Sequence, residues 1–398
     1  MKHCFLFKPA VPLLVAALFA LVACNEPIFY TIAQEVAPIE PRIKGGPTNF
    51  VVFNDVMYVA SGNTLHWYKG GEWDTSTRRV SQPGGRINSL AVTKSGTDQC
   101  LYALCYPSDT PPSSVIKRLV GTDWISLDNS TGYNVRHIYA AGPNLFISAE
   151  ISNSFAVFYA DGGSIAQISG IDVATKTELC GAAYDEAGGY YLCTKGGGIY
   201  YATDPESGFS QVSGTNDIFF TGIISIDGGS TSKIVAIERR FGKLYTVNGS
   251  AVVDTGIFLQ GNYESTGALA IWEAPPASLE APSNFSPGSR LLLAGQTLVG
   301  GLSAYSNGYA EVDLYSDGTP YGAFREPGTN LSGSPTSVFD LDNANDRYKS
   351  TIGRLAINYM FQAPARVDSG MTLFASTQNQ GVWSYRSRKD LYQWNAED

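Results

Sequence analysis

Short stretches of alternating apolar and polar residues, separated by glycine-rich turns, run along most of the chain. Residues 188–202 show the pattern: a predicted strand, a turn of three glycines and a second strand. The apolar positions follow the two-residue period of a β-strand, and beyond the N-terminus we find no convincing helical stripe. The sequence therefore predicts an all-β protein.

A pair of apolar, often aromatic residues recurs along this pattern at a nearly constant spacing. The second members of the pairs are Tyr58, Tyr102, Phe146, Tyr191, Val235, Leu292 and Phe374. Their successive spacings are 44, 44, 45, 44, 57 and 82 residues. A period of about 40–50 residues with short strands is typical of β-propeller blades, each a four-stranded sheet. Seven pairs therefore predict a seven-bladed β-propeller.

Burial explains why such sheets would close into a ring. A four-stranded sheet has two apolar faces, which its neighbours cover, and closure removes the exposed ends. The alternatives are a β-sandwich, which requires no repeat, and a β-helix, whose coils are shorter than this period. The predicted blades cover residues 49–82, 86–128, 134–170, 178–213, 219–257, 264–327 and 350–396.

Blade six is predicted to be interrupted, which accounts for the two long spacings. Residues 273–290 contain four prolines and are predicted to form a loop between its first two strands. Residues 296–305 form either a second insertion or a strand, and the sequence leaves both open. A long polar connection, residues 327–349, leads to blade seven. Residues 391–394 are expected to be the fourth strand of blade seven and to close the ring beside blade one.

The N-terminus has a different chemistry. A short basic start is followed by an apolar run, residues 11–22, and then by Leu21-Val22-Ala23-Cys24. The run is too short to span a bilayer comfortably and fits the core of a signal peptide. The last four residues match a lipobox, in which Cys24 is acylated; the alternative is an ordinary signal peptide with a chance cysteine. The domains expected are a leader at 1–23, a lipidated cysteine and tether at 24–48, and the propeller at 49–398.

Composition excludes several functional classes. The formal net charge is −9 and the lysines are scattered, which argues against nucleic-acid binding. Only His66 and His137 remain after the leader, too few for a His-based zinc site or a Ser–His–Asp triad, so both are predicted to be structural. Residues 340–346 offer alternating oxygen ligands but lack the glycine and glutamate of a calcium loop. A solvated loop is the better interpretation, and no metal or cofactor is predicted.

Three segments resemble degraded Asp-boxes of sialidase-type propellers: residues 161–164, 204–209 and 316–319. None matches fully, and such boxes form turns that are remote from catalysis. We therefore predict no catalytic residue, and the sequence favours a binding role over an enzymatic one.

The cysteines after the leader fall into two groups. Cys100 and Cys105 are predicted on one strand, roughly 16 Å apart, so they cannot bond there. If Tyr184 pairs with Gly189 across the turn, Cys180 lies opposite Cys193, and a disulfide could form in an oxidising periplasm. Two buried thiols are the alternative.

Alternating strand direction divides the loops between two faces. Loops after the second and fourth strands of each blade emerge on one face, here called the even face, and the others on the odd face. Long connections on the even face carry the candidate binding residues Tyr106, Tyr305, Phe339 and Tyr348. The insertion at 273–290 emerges on the odd face, where it would contact the membrane or a second partner. Neutral insertions are the alternative for all these loops.

The lipobox, the tether residues Ile28-Phe29-Tyr30 and the glycine-rich blades together resemble uncharacterised spirochaete-type bacterial lipoproteins with a β-propeller domain. The resemblance covers most of the chain and implies envelope anchoring with no assigned activity. We expect a cell-envelope lipoprotein at the inner or outer membrane, periplasmic or surface-exposed, whose propeller binds an envelope protein or surface ligand. The alternative is a carbohydrate-binding or sialidase-like, glycoside-cleaving propeller.

Overall fold

The computed structural model describes only part of the chain. The described residues are 42–74, 80–107, 114–127, 133–161, 164–227, 232–259, 263–265, 269–272, 289–294, 296–298, 309–325, 355–363, 373–388 and 391–397. The predicted leader, Cys24, the predicted tether up to residue 41 and most of the long connections lie outside them. Within these ranges, no helix is long and apolar enough to cross a membrane.

Seven antiparallel sheets of four strands follow one another along the chain and form a seven-bladed β-propeller, as predicted. Blade one contains β1 Val51–Phe53, β2 Val56–Ser61, β3 Thr64–Lys69 and β4 Glu72–Asp74. Blade two contains β5 Arg86–Ser95, β6 Asp98–Tyr106, β7 Val115–Val120 and β8 Asp123–Ser126. Blade three contains β9 Asn134–Ala141, β10 Asn144–Ile151, β11 Ser154–Asp161 and β12 Ser164–Gln167. Blade four contains β13 Leu179–Asp185, β14 Gly189–Thr194, β15 Gly198–Ala202 and β16 Ser210–Gln211.

The remaining blades have the same strand order. Blade five contains β17 Phe220–Asp227, β18 Ser232–Glu238, β19 Leu244–Asn248 and β20 Ala251–Asp254. A separate pair, β21 Tyr263–Ser265 and β24 Gln296–Leu298, lies outside the blade sheets. Blade six contains β22 Leu269–Trp272, β23 Arg290–Ala294, β25 Tyr309–Leu314 and β26 Pro320–Arg325. Blade seven contains β27 Ile357–Gln362, β28 Leu373–Thr377, β29 Val382–Arg388 and β30 Leu391–Ala396.

Each recurring apolar pair lies in the second strand of its blade, and burial explains the pair. In blade four, Tyr190 packs toward blade three and Tyr191 packs toward blade five. Successive side chains of a strand point to opposite faces, so a strand between two sheets needs apolar residues at both positions. Among the described residues, seven hydrophobic clusters fill the seven junctions between neighbouring blades.

Blade six contains the segments for which the sequence left alternatives open. Strand β22 ends at Trp272 and β23 begins at Arg290, and residues 273–288, most of the expected proline-rich loop, lie outside the described residues, as do residues 299–305. Of residues 296–305, Gln296–Leu298 is a strand in its own right, β24, and it pairs with β21. Residues 391–396 form the fourth strand of blade seven, as predicted.

The segment just before blade one lies along blade seven. Gly381 donates a backbone hydrogen bond of 2.9 Å to Gly45, and Val382 donates one of 3.2 Å to Ile43. The Ile43 side chain is buried with Phe374 in the junction between blades seven and one. The ring therefore makes contacts with residues that precede position 49.

A feature that the sequence did not predict is a β-bulge in the first strand of five blades. The extra residues are Asn88, Arg136, Cys180, Thr221 and Asn358. First strands of neighbouring blades contact one another around the centre of the ring, yet each of these residues is at least partly exposed. A bulge bends its strand and redirects a side chain, so register in these strands cannot be counted by simple alternation.

Candidate functional site

A polar cleft opens on the odd face between blades three and four. Its cavity has a volume of about 400 Å³. Three tyrosines and four carboxylates line it: Tyr159, Tyr184, Tyr190, Asp161, Glu186, Asp204 and Glu206. They lie in the turns after the first and third strands of the two blades and at the strand ends beside these turns, so residues far apart in sequence meet where two blades adjoin.

Two turns of blade four shape the cleft. Gly189 has a φ of 104°, and a Cβ there would lie 2.4 Å from the carbonyl oxygen of Ala202. Only glycine allows this approach of the β13–β14 turn to the end of β15. Beyond β15, the Asp204 carboxylate accepts a hydrogen bond of 2.9 Å from the backbone N–H of Glu206 and so caps the short 3-10 helix Pro205–Ser207. Residues 204–209, which resemble a degraded Asp-box, thus turn the chain, as expected.

The tyrosines are held by their neighbours. The rings of Tyr184 and Tyr190 lie 4.8 Å apart, and Asn144 Nδ2 donates a 2.8 Å hydrogen bond to the Tyr190 hydroxyl. Tyr184 also covers Gly142, where a Cβ would lie 2.6 Å from the ring. A larger residue at 142 would displace Tyr184, so the wall of the cleft is set by packing.

The carboxylates give the cleft a negative character. Burial and the nearby charges of Glu206, Asp204 and Asp161 raise the pKa of Tyr159. Burial, Tyr184 and the same two aspartates also raise the pKa of Tyr190. Both phenols therefore stay neutral near pH 7, and neither lysine nor arginine is among the described residues that line this cavity. The cleft suits a ligand with a positive charge or with several hydrogen-bonding groups.

A second cavity, of about 440 Å³, adjoins the cleft on the odd face, at the ends of the first strands of blades two to five. It is called the central cavity below, because the first strands of neighbouring blades contact one another around the centre of the ring. Its wall is mixed: small and aliphatic residues stand beside the polar side chains of Lys94 and Ser225. Tyr184 and Glu186 line both cavities, so the cleft and the central cavity meet at two shared side chains.

Of the four aromatic residues predicted to form a binding face, only Tyr106 lies within the described residues. It ends β6 on the even face, and its hydroxyl lies 3.5 Å from the carbonyl oxygen of Val135. Tyr305, Phe339 and Tyr348 lie outside the described residues, so the even-face site stays a prediction. Four exposed apolar side chains do occur in the even-face connections between successive blades: Tyr133, Val173, Phe219 and Phe258.

The sequence did not predict this cleft, because the candidate binding residues were assigned to long loops, whereas the cleft is formed at short turns. Two of the segments that resemble degraded Asp-boxes contribute to its lining, the first through Asp161 and the second through Asp204, Pro205 and Glu206, but they were interpreted only as turns. Glu186 carries no local signal in the sequence.

The two histidines lie away from both cavities. His137 Nε2 lies 2.7 Å from Glu178 Oε1, and burial followed by the charge of Arg42 lowers the pKa of His66. Neither histidine lines either cavity. In the part of the chain that the structure describes, no group of His, Cys, Asp and Glu side chains could hold a metal ion, and residues 340–346 lie outside that part.

The cysteines lie close to their expected places. Cys100 and Cys105 share strand β6. In blade four the register differs by one residue from the one assumed, because Tyr184 faces Tyr190. Cys180 nevertheless reaches Cys193, with the two sulfurs 3.4 Å apart as free thiols.

No protein-family model matches this chain, and neither does any curated protein. Solved propeller structures match its fold. The GH74 enzyme of Niastella koreensis has a TM-score of 0.54 at 11% identity, over 90% of this chain and 55% of the enzyme, so the chain spans about half of that enzyme's length. YCF48 bound to a D1 peptide has a TM-score of 0.50 at 12% identity, over 88% of this chain and 96% of that one. At these identities the likeness shows the fold alone.

Proposed function

We propose that this chain is a lipid-anchored binding scaffold of the bacterial cell envelope, and that its propeller captures a segment of another envelope protein in the odd-face cleft. The observation that carries the binding role is the carboxylate-lined cleft, which meets the central cavity at Tyr184 and Glu186.

The lipobox that ends at Cys24 supports the anchor. A basic start and an apolar core precede the cysteine, as in lipoprotein signal peptides. One acyl chain binds a membrane weakly, whereas two or three give stable attachment. The propeller would then be held near the membrane surface, where an envelope partner is accessible.

The chemistry of the cleft favours an extended peptide with a lysine or arginine side chain. The carboxylates can accept hydrogen bonds from a cationic head, and the tyrosine rings can pack against its aliphatic stem. The alanine and isoleucine side chains in the wall of the central cavity can contact a neighbouring side chain of the same peptide. YCF48, a propeller of similar fold, has been solved with a bound peptide, which makes this mode of use physically reasonable for the fold.

The test uses the acylated protein as bait in detergent-solubilised envelope. Glu186→Gln and Glu206→Gln are combined in one variant, because both side chains are exposed and their loss should leave the fold intact. We expect the double variant to bind the captured partner about tenfold more weakly than the wild type.

Glu72→Gln is the matched control. Glu72 is an exposed carboxylate in blade one, at the turn between β3 and β4 and therefore on the same face, but it does not line the cleft. The control should bind like the wild type. Equal capture by all three proteins would exclude the cleft as the binding site.

A carbohydrate ligand is the second candidate, because tyrosines beside carboxylates also suit sugar hydroxyl groups. It predicts binding to defined glycans on an array, lost in Tyr184→Ala; glycoside cleavage would in addition release free sugar. Protein capture that depends on Glu186 and Glu206, without glycan binding, would favour the peptide.

A further inference from the structure

Two cysteine thiols are in contact inside blade four. Cys180 lies on β13 and Cys193 on β14, and their sulfur atoms are 3.4 Å apart. The other described cysteines, Cys100 and Cys105, lie on strand β6 of blade two. The blade-four pair is therefore the one whose positions allow a bond without rearrangement of the sheet.

The bulge in β13 brings the two sulfurs together. Leu179 faces Thr194 and Gly181 faces Cys193, so Cys180 is the extra residue between two ladder positions. Gly181 has no side chain, and a Cβ there would lie 3.0 Å from Ile223 Cγ2 of blade five. A side chain at 181 would therefore press against blade five, and glycine lets the bulged strand lie close to that blade. Both cysteines belong to the hydrophobic junction between blades four and five.

The two thiols differ in their exposure to solvent. Cys193 is fully buried, whereas Cys180 is partly exposed. Burial, with the neighbouring thiol of Cys180, raises the pKa of Cys193 well above its usual range. An oxidant therefore meets Cys180 first, and Cys193 is in place to react second.

We propose that Cys180 and Cys193 form a disulfide bond when the folded chain meets a disulfide donor. The Cys180 thiolate attacks one sulfur of the donor and releases one donor thiol, which leaves a mixed disulfide. Cys193, held in contact with Cys180, then gives up its proton as its sulfur attacks Cys180 Sγ, forms the internal bond and releases the second donor sulfur, which takes up a proton as a thiol. The two cysteines together lose two electrons and two protons, and the donor disulfide is reduced to two thiols.

The bond would join the two strands that carry Tyr184 and Tyr190. Both tyrosines line the odd-face cleft, so oxidation would restrain strands that form its wall. The inference does not depend on the identity of the ligand or on the lipid anchor.

The test is made on the folded wild-type chain with oxidised glutathione as donor. Remaining thiols are alkylated with N-ethylmaleimide under denaturing, non-reducing conditions, and the cysteine peptides are identified by mass spectrometry. The peptides of Cys180 and Cys193 should be recovered as one linked pair that is lighter by two hydrogens, while Cys100 and Cys105 are alkylated. Full alkylation of Cys180 and Cys193, or glutathione retained on Cys180 beside an alkylated Cys193, would overturn the proposal.

Two controls test whether the folded structure determines which cysteines become linked. The variant Cys180→Ser should leave Cys193 free for alkylation; a new link from Cys193 to Cys100 or Cys105 would contradict the assigned geometry. Oxidation of the wild type in concentrated urea should in addition link Cys100 to Cys105, which are close in sequence and which strand β6 holds apart in the folded chain. A Cys100–Cys105 link of equal yield in the folded chain would show that the sheet does not direct the pairing.

Discussion

The indole Nε1 of Trp73 donates a hydrogen bond of 2.8 Å to Oε2 of Glu397, joining the last strand of blade one to the residue after the last strand of blade seven. The Ser384 hydroxyl donates to the other oxygen of the same carboxylate, and the Glu397 carbonyl accepts from the backbone of Arg42. Glu397 is 2% exposed. The two ends of the propeller therefore meet in one buried polar network.

The first prediction concerns this network. Glu397→Ala should lower the free energy of unfolding by about 2–4 kcal/mol, because it leaves two buried donors without their acceptor. Denaturant unfolding of the purified propeller gives the value. Glu397→Gln keeps one side-chain oxygen as an acceptor, so its free energy of unfolding should fall by less than that of the alanine variant. An alanine variant as stable as the wild type would show that the network does not hold the ring closed.

The second prediction concerns the last strand. Trp394 is buried against Tyr309 of blade six, with ring centroids 5.7 Å apart. Deletion of residues 388–398 would expose apolar surface toward blades six and one and should cost several kcal/mol. The thermal midpoint should fall and the whole ring should unfold as one unit. An unchanged midpoint would contradict closure by the C-terminal strand.

The third prediction is a pH dependence of stability. Burial alone would raise the pKa of Glu178, but hydrogen bonds and charges from His137 and Lys195 lower it to about 2, from an ordinary value of 4.5. The pKa of Glu178 is lower in the folded chain than in the unfolded chain. The ionised carboxylate therefore stabilises the fold above pH 4.5, and this stabilisation is lost as the pH falls toward 2.

Because Glu178 is partly exposed, we expect its contribution to be about 1–2 kcal/mol. The thermal midpoints of wild type and Glu178→Gln should differ near neutral pH and converge in acid. A difference that stays constant through the acid range would contradict the assignment.

The fourth prediction concerns the anchor. Mass spectrometry of the mature N-terminus should find a lipid on Cys24, and Cys24→Ser should release the protein from the membrane fraction. Cys4→Ser is a suitable control, since Cys4 lies in the leader that cleavage would remove. A mature N-terminus that starts elsewhere and carries no lipid would exclude acylation at Cys24.

The fold could be predicted because the repeat has a simple physical cause. The two members of each apolar pair, such as Tyr190 and Tyr191, face opposite junctions, so each blade needs the pair and its spacing reports the blade length. The bulge at Cys180 could not be predicted, because an extra residue in one strand changes the register without changing the apolar pattern.

The cleft was hidden for a different reason. Asp161, Glu186 and Glu206 belong to three turns of two blades, and only the packing of those blades brings their carboxylates to one cavity. No single stretch of sequence contains the constellation. Long loops attracted the functional prediction because they differ from their neighbours, whereas the turns of the cleft have ordinary lengths.

The most direct test of the proposed function is hydrogen–deuterium exchange of the propeller with and without the partner identified by capture. The account predicts slower exchange in residues 185–189 and 203–208, the two turns of blade four that form the cleft, and little change at the matched turn around Glu72. Protection confined to the even-face connections, with the blade-four turns unaffected, would contradict it.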